Sequence, residues 1–200
     1  MVIYDPVTGQ VHICNDNAAE EWMIDPVAIK VVTTIHSEGR GLEDLAFGLR
    51  HKRLFQAVKG SNTIGGVDPA DNKVFNHYRL APDTGPHSIV VVPDSDGLLA
   101  VCSGNLVLLS RSTGKVLDRA TIASGVDEMA YDPGINVDCC ASRRGEISVV
   151  SVAADKLTPQ DSLPDERGTG SLAVDPKTHT VWIACHKGDK CFVRPFMPAK

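Results

Sequence analysis

Two hundred residues, 42% apolar and 22% charged, describe a chain that can bury a substantial core and exclude a disordered one. The formal charge of −5 argues against a nucleic-acid partner and against an anionic membrane surface, because both need a basic face. The opening MVIYDPVTGQ lacks a basic n-region and an apolar h-region, and no apolar run reaches the ~20 residues that span a bilayer. The expectation is a soluble cytoplasmic chain, or a periplasmic or secreted one if the true start lies upstream.

In chain order, one three-part pattern recurs. A short apolar run ends in a turn signal: VIYDP, DLAFGL, SIVVVP, EMAYDP and SLAVDP. A second follows as QVHICN, RLFQAV, LLAVCS, VDCCAS and TVWIAC. A third closes in a polar turn before lysine: MIDPVAIK, GVDPADNK, LLSRSTGK and VVSVAADK. The first turn aligns Pro6, Leu49, Pro93, Pro133 and Pro176, spaced by 43, 44, 40 and 43 residues. The third run aligns Asp25, Asp68, Ser110 and Ser151, each followed five residues later by Lys30, Lys73, Lys115 and Lys156. A fourth run follows each lysine: KVVTTI, KVFNHYRL, KVLDRATI and KLTPQDSL.

Four short strands per period of 40–45 residues are the signature of a β-propeller blade. The spacing predicts an all-β chain, one β-propeller domain over 1–200. Its five blades cover about 1–41, 42–85, 86–125, 126–168 and 169–200, with a three-stranded last blade. About nineteen strands are expected, the innermost near 2–4, 44–47, 88–92, 128–131 and 171–174. AAEEWMIDP, the best helical candidate, reads as a loop entering a third strand because proline follows so soon.

DPVTG…VHICN…IDP…KVVTTI and LAVDPKTHTVWIAC resemble the YVTN-repeat propellers, and more closely their YncE-like branch, with WD40-like blade architecture. The resemblance implies a seven-bladed closed ring. Five blades with a short last one leave three expectations: a five-bladed ring, an arc of a larger ring, or an arc completed by a partner. That partner is another copy of the chain or a missing propeller segment, pairing end strands that carry the apolar flanks VIY and CFV.

Candidate site residues follow from the repeat. Propeller ligands bind at a mouth of the central channel, and the residues entering the innermost strands are Glu43, Asp44, His87, Asp127 and Glu128. The loops after the second strands bring Lys59, Arg143, Arg144, His186 and Lys187 to the same rim. Carboxylates and imidazole there suit a cation or acid–base work; equally, they suit hydrogen bonds to neighbouring turns. A mixed rim also suits a small polar ligand. No G-x-S-x-G, H-E-x-x-H, Walker or Rossmann motif is present, and no C-x-x-C pair supports zinc, so no cofactor, metal or catalytic residue is assigned. The expected function is a non-catalytic binding or scaffold propeller. The alternatives are a lactonase-like hydrolase acting at the channel mouth and a truncated product without independent function. Most of the six cysteines sit in strand-like runs and read as small buried hydrophobes. Cys185 and Cys191 are expected to face each other as thiols across the hairpin CHKGDKC.

Overall fold

The computed structural model describes residues 1–197 and contains five antiparallel sheets. Blade 1 comprises β1 (Val2–Asp5), β2 (Gln10–Asn15), β3 (Glu20–Asp25) and β4 (Lys30–His36), and blade 2 comprises β5 (Leu42–Gly48), β6 (Arg53–Val58), β7 (Thr63–Asp68) and β8 (Lys73–Arg79). Blade 3 holds β9 (Ile89–Val91), β10 (Gly97–Cys102), β11 (Asn105–Ser110) and β12 (Val116–Thr121). Blade 4 holds β13 (Val126–Asp132), β14 (Val137–Ser142) and β15 (Glu146–Val152), with β16 (Leu157–Pro159) and β17 (Leu163–Pro164) both paired to β15. Blade 5 is β18 (Ser171–Asp175), β19 (Thr180–Lys187) and β20 (Lys190–Phe196). The chain is a five-bladed β-propeller array. Among the described residues its only helical element is a 3-10 turn at Lys59–Ser61.

Twenty strands stand where nineteen are expected, because the outer strand of blade 4 is broken. Pro159 and Pro164 lie in that strand, and neither can donate to the ladder.

Asp-Pro turns set the hairpins. Asp5, Asp25, Asp68, Asp132 and Asp175 each accept a hydrogen bond from the backbone N–H two residues on, closing an Asx turn. Four residues after each aspartate the backbone is left-handed, at Gly9, Ile29, Asn72, Asn136 and His179. The side-chain acceptor and the positive φ together reverse the chain within one tight loop.

Innermost strands pack in sequence: β1 on β5, β5 on β9, β9 on β13, and β13 on β18. An apolar cluster fills each gap. Met23 and Ile35 meet Leu42, Leu45 and Leu54 between blades 1 and 2. Phe55 and Ile64 meet Leu98 and Leu109 between blades 2 and 3. Leu99 and Leu108 meet Met129 and Val150 between blades 3 and 4. Cys139 and Ile147 meet Ile183 and Cys185 between blades 4 and 5. Strand alternation supplies both faces of every internal blade, so side chains of successive residues enter successive clusters.

One gap is partly polar. His12, wholly buried, hydrogen-bonds through Nδ1 to Glu21, whose other oxygen accepts from Gln56 Nε2 of blade 2. Asp5 lies on the far side of the ring, its Oδ2 3.8 Å from His12 Nε2.

The hairpin at 185–191 corrects an expectation. Lys187 pairs with Lys190 across a two-residue loop, so His186 faces Cys191 and Cys185 faces Phe192. The cysteines are offset by one residue and point to opposite faces, Cys185 buried and Cys191 exposed. A direct pairing needs an odd loop, and Gly188-Asp189 with Gly188 at φ +60° makes an even one.

A candidate binding mouth between blades 2, 3 and 4

Two β-bulges build this site. In blade 2, Leu42 pairs with Val58 and Asp44 with Ala57, leaving Glu43 as the extra residue. In blade 4, Val126 pairs with Ser142 and Glu128 with Ala141, leaving Asp127 extra in the same way. A bulge frees its extra residue from the ladder and re-aims its side chain. Both acids turn to the basic residue that follows the second strand of their own blade. Glu43 Oε1 receives Lys59 Nζ at 2.9 Å, and Asp127 Oδ2 receives Arg143 at 2.6 Å.

His87 of blade 3 occupies the position equivalent to Glu43 and Asp127. Its Nδ1 lies 3.3 Å from Glu43 Oε2, and its Nε2 lies 3.1 Å from Lys59 Nζ. Blade 5 has Gly170 at the equivalent position, where a Cβ would approach Asp127 Oδ2 to 2.9 Å. Glycine there lets the Asp127–Arg143 pair lie against the backbone.

Two cavities open beside these groups. One, of about 300 Å³, is lined by Lys59, His87, Ser103, Asp127 and Arg143 among others. The other, of about 180 Å³, is bounded by Met1, Glu43, Asp44, His87, Asp127 and Glu128. The structure therefore brings together Glu43, Asp44, His87, Asp127, Glu128 and Arg143. His186 lines neither cavity and sits beside Gly168 on blade 5.

These residues differ in what they can do. Asp44 is buried and accepts from Leu45 N–H at 2.7 Å, Ile89 N–H at 2.9 Å and Ser88 Oγ at 3.1 Å. Burial raises its pKa, and the hydrogen bonds from Ile89 and Leu45 oppose that rise. Its Oδ2 is taken by the next blade and its Oδ1 by its own strand, so it ties blades 2 and 3 together. Cys102 lines the larger cavity, but burial pushes its thiol up to about 12, which leaves no thiolate for nucleophilic work. Among the described residues no three histidine, cysteine or carboxylate side chains converge as metal ligands do.

Comparison with known proteins agrees with this architecture. No protein-family model matches the chain. It is 22% identical over 184 residues to YncE of Salmonella typhi, described as uncharacterized, and 21% identical to YncE of Salmonella typhimurium. Each match covers 88% of the chain and 52% of the relative, so the chain spans about half the length of the curated relatives it matches. Among solved structures it superposes on Kuenenia stuttgartiensis hydrazine synthase with a TM-score of 0.79 at 12% identity, over 92% of the chain and 54% of that one. A chain of the mitotic checkpoint complex gives 0.79 at 13%, over 96% and 62%. At such identities the likeness is one of fold. No helix among the described residues is long and apolar enough to cross a membrane.

Sequence reasoning located the rim but missed the bulges, since an extra residue in a strand leaves no mark in a period already varying from 40 to 44. It missed the His12–Glu21–Gln56 network too, whose members lie on three strands of two blades.

Proposed function

We propose that this chain is a non-catalytic binding propeller that takes a small polar ligand bearing an anionic group at the mouth between blades 2, 3 and 4. One observation carries the reading: the same bulge-projected acid–base pair stands on blades 2 and 4, flanking one cavity of about 300 Å³. Lys59 and Arg143 are partly exposed and held in place by Glu43 and Asp127, so their remaining donors are oriented before a ligand arrives. Arg143 presents a planar fork suited to carboxylate or phosphate. The six cysteines are free thiols, which suits a reducing compartment.

The test is thermal unfolding with inorganic phosphate, succinate and other small carboxylates. A ligand at 100 times its dissociation constant adds about 2.7 kcal/mol, a rise of roughly 5–10 °C for a chain of this size. The rise should vanish in Arg143→Ala and in Lys59→Ala. A rise that survives both substitutions places the ligand elsewhere.

A lactonase-like hydrolase is the second reading, favoured by the Glu43–His87 contact with Ser103 in the adjoining cavity. Glu43 would orient His87 as a general base. Proton release from small lactones, lost in His87→Gln, supports that reading; no turnover by the unsubstituted chain counts against it.

A further inference from the structure

A further cavity, of about 310 Å³, lies at the opposite end of the gap between blades 2 and 3. The mouth stands where β5 and β9 begin; this cavity stands where they end, among the loops that follow them. Phe47, Leu49, Val91 and Pro93 make most of its wall apolar. Its charged lining residues are Arg50, Asp94 and Arg111. Two cations against one acid leave a single positive charge beside an apolar space.

Arg111 is the unusual member. It is 6% exposed, yet it forms no ion pair with any described carboxylate. Asp96 of the same blade is taken up by Ser110 Oγ at 2.5 Å and Ser112 Oγ at 2.8 Å. The guanidinium donates from Nη2 to the Ser95 carbonyl. Its Nε is buried without a partner, and its Nη1 lies over Gly48, where a Cβ would come to 3.0 Å. Glycine at 48 thus leaves room for the group. The backbone that carries it is fixed from both blades. Its N–H donates to the Asp96 carbonyl at 2.8 Å, and its carbonyl accepts Tyr78 Oη at 2.5 Å. Burial lowers the guanidinium's pKa, the charge of Asp96 opposes this, and that of Arg50 adds to it. Arginine stays protonated all the same, so the fold holds a buried cation without a counter-ion. Folded chains break the rule of paired buried charges chiefly at functional sites.

We propose that this cavity binds a short-chain monocarboxylate, its carboxylate on the Arg111 guanidinium and its hydrocarbon body against Phe47, Leu49 and Val91. The carboxylate supplies the missing counter-charge and an acceptor for Nη1, in the planar geometry that a guanidinium fork fits. The apolar wall takes the chain out of water. Arg50, exposed at the rim, adds a second and weaker attraction. A dianion such as succinate or phosphate suits the cavity poorly, because only one positive charge is left over and the wall offers its other end no partner.

Hexanoate titrated into the full amide-labelled chain, followed by two-dimensional NMR, tests this. Saturable shifts are expected at the amides of Gly48, Leu49, Arg50, Val92 and Asp94, while succinate and inorganic phosphate leave those amides unmoved. Arg143→Ala, which disables the mouth on the other face, should show the same hexanoate shifts, so the two sites stand or fall separately. 1-Hexanol, with the same chain and no charge, should bind on the order of 30-fold more weakly. Arg111→Met should weaken hexanoate by roughly 30-fold and, by replacing an unpaired cation with an apolar side chain, should not lower the unfolding midpoint. Arg50→Gln, at an exposed position, should weaken it by roughly 3-fold. Absence of saturable shifts around Gly48 at millimolar hexanoate overturns the inference, as does equal affinity for hexanol. Arg111→Met that binds hexanoate as the parent does also overturns it; a lowered midpoint would then make Arg111 a structural tie to Ser95. Should Arg111→Met fail to fold, hexanol and Arg50→Gln decide by the same factors.

Discussion

At the scale of single residues, the turns expose one weak point. Ile29 occupies the left-handed position of its Asp-Pro turn at φ +50°, where the other turns have Gly9, Asn72, Asn136 and His179. A β-branched side chain there crowds the following carbonyl, at a cost of about 1–2 kcal/mol relative to glycine. Ile29 is 84% exposed, so little packing is lost on replacing it. Ile29→Asn should therefore raise the unfolding midpoint by roughly 2–4 °C, read by calorimetry. A lower midpoint would mean that Ile29 has a packing partner. Asparagine keeps the turn while adding less unfolded-state freedom than glycine.

Asp138 gives a second residue-scale prediction. It is wholly buried in β14, accepts Cys140 Sγ at 3.1 Å through Oδ2, and has no partner at Oδ1. Burial pushes its pKa from 3.8 up to about 7. The folded chain keeps a proton that the unfolded chain releases between those values, so this group's contribution to stability is full below about pH 4. It is lost as pH rises to about 7 and is level above. Asp138→Asn should remove that slope, gaining on the parent by an amount on the order of 4 kcal/mol between pH 4 and pH 7. Parallel pH–stability curves from urea unfolding would refute the assignment.

At the scale of elements, the blades are joined by both apolar clusters and single polar clasps. Asp44 is the clearest clasp, taking donors from Ser88 and Ile89 across the blade 2–blade 3 gap. Asp44→Ala leaves those donors buried without partners, a loss of about 2–4 kcal/mol in global stability. Amide exchange should quicken first at Leu45 and Ile89. Unchanged exchange there would show that the clasp adds nothing to the packing of Ala46 on Ile89.

The strands themselves were legible in the sequence, because the first-turn position recurs in all five blades, as proline in four of them, and a lysine follows the third run five residues on in blades 1 to 4. The break at Gln160–Ser162 was less legible. KLTPQDSL has the composition of an outer strand, and only its proline hints that the ladder is interrupted. The Cys185–Cys191 offset was illegible for a different reason: one residue of loop length reverses the face of a side chain, and both Lys-Gly-Asp-Lys pairings fit the letters equally well.

At the scale of the whole molecule, the mouth is a product of the repeat. Equivalent positions give Glu43, His87, Asp127 and Gly170 around the channel, and variation at that one position makes the rim uneven. Blades 2 and 4 carry acids, each held by the base after the second strand, and blade 3 carries the histidine between them. Blade 5 breaks the series, which is why His186 stands apart although its position matches Lys59 and Arg143. The rim was legible because the period fixes which residues lie at the channel. Which pairs form was not, because a bulge in two of the five blades decides it.

The most direct test of this mouth is a titration followed by two-dimensional NMR of the amide-labelled chain, with succinate and inorganic phosphate as probes. The account predicts saturable shifts centred on the backbone amides of Lys59, Ser103, Asp127 and Arg143, with the far ends of blades 1 and 5 unmoved. Shifts centred on another surface, or none at millimolar probe, would contradict it.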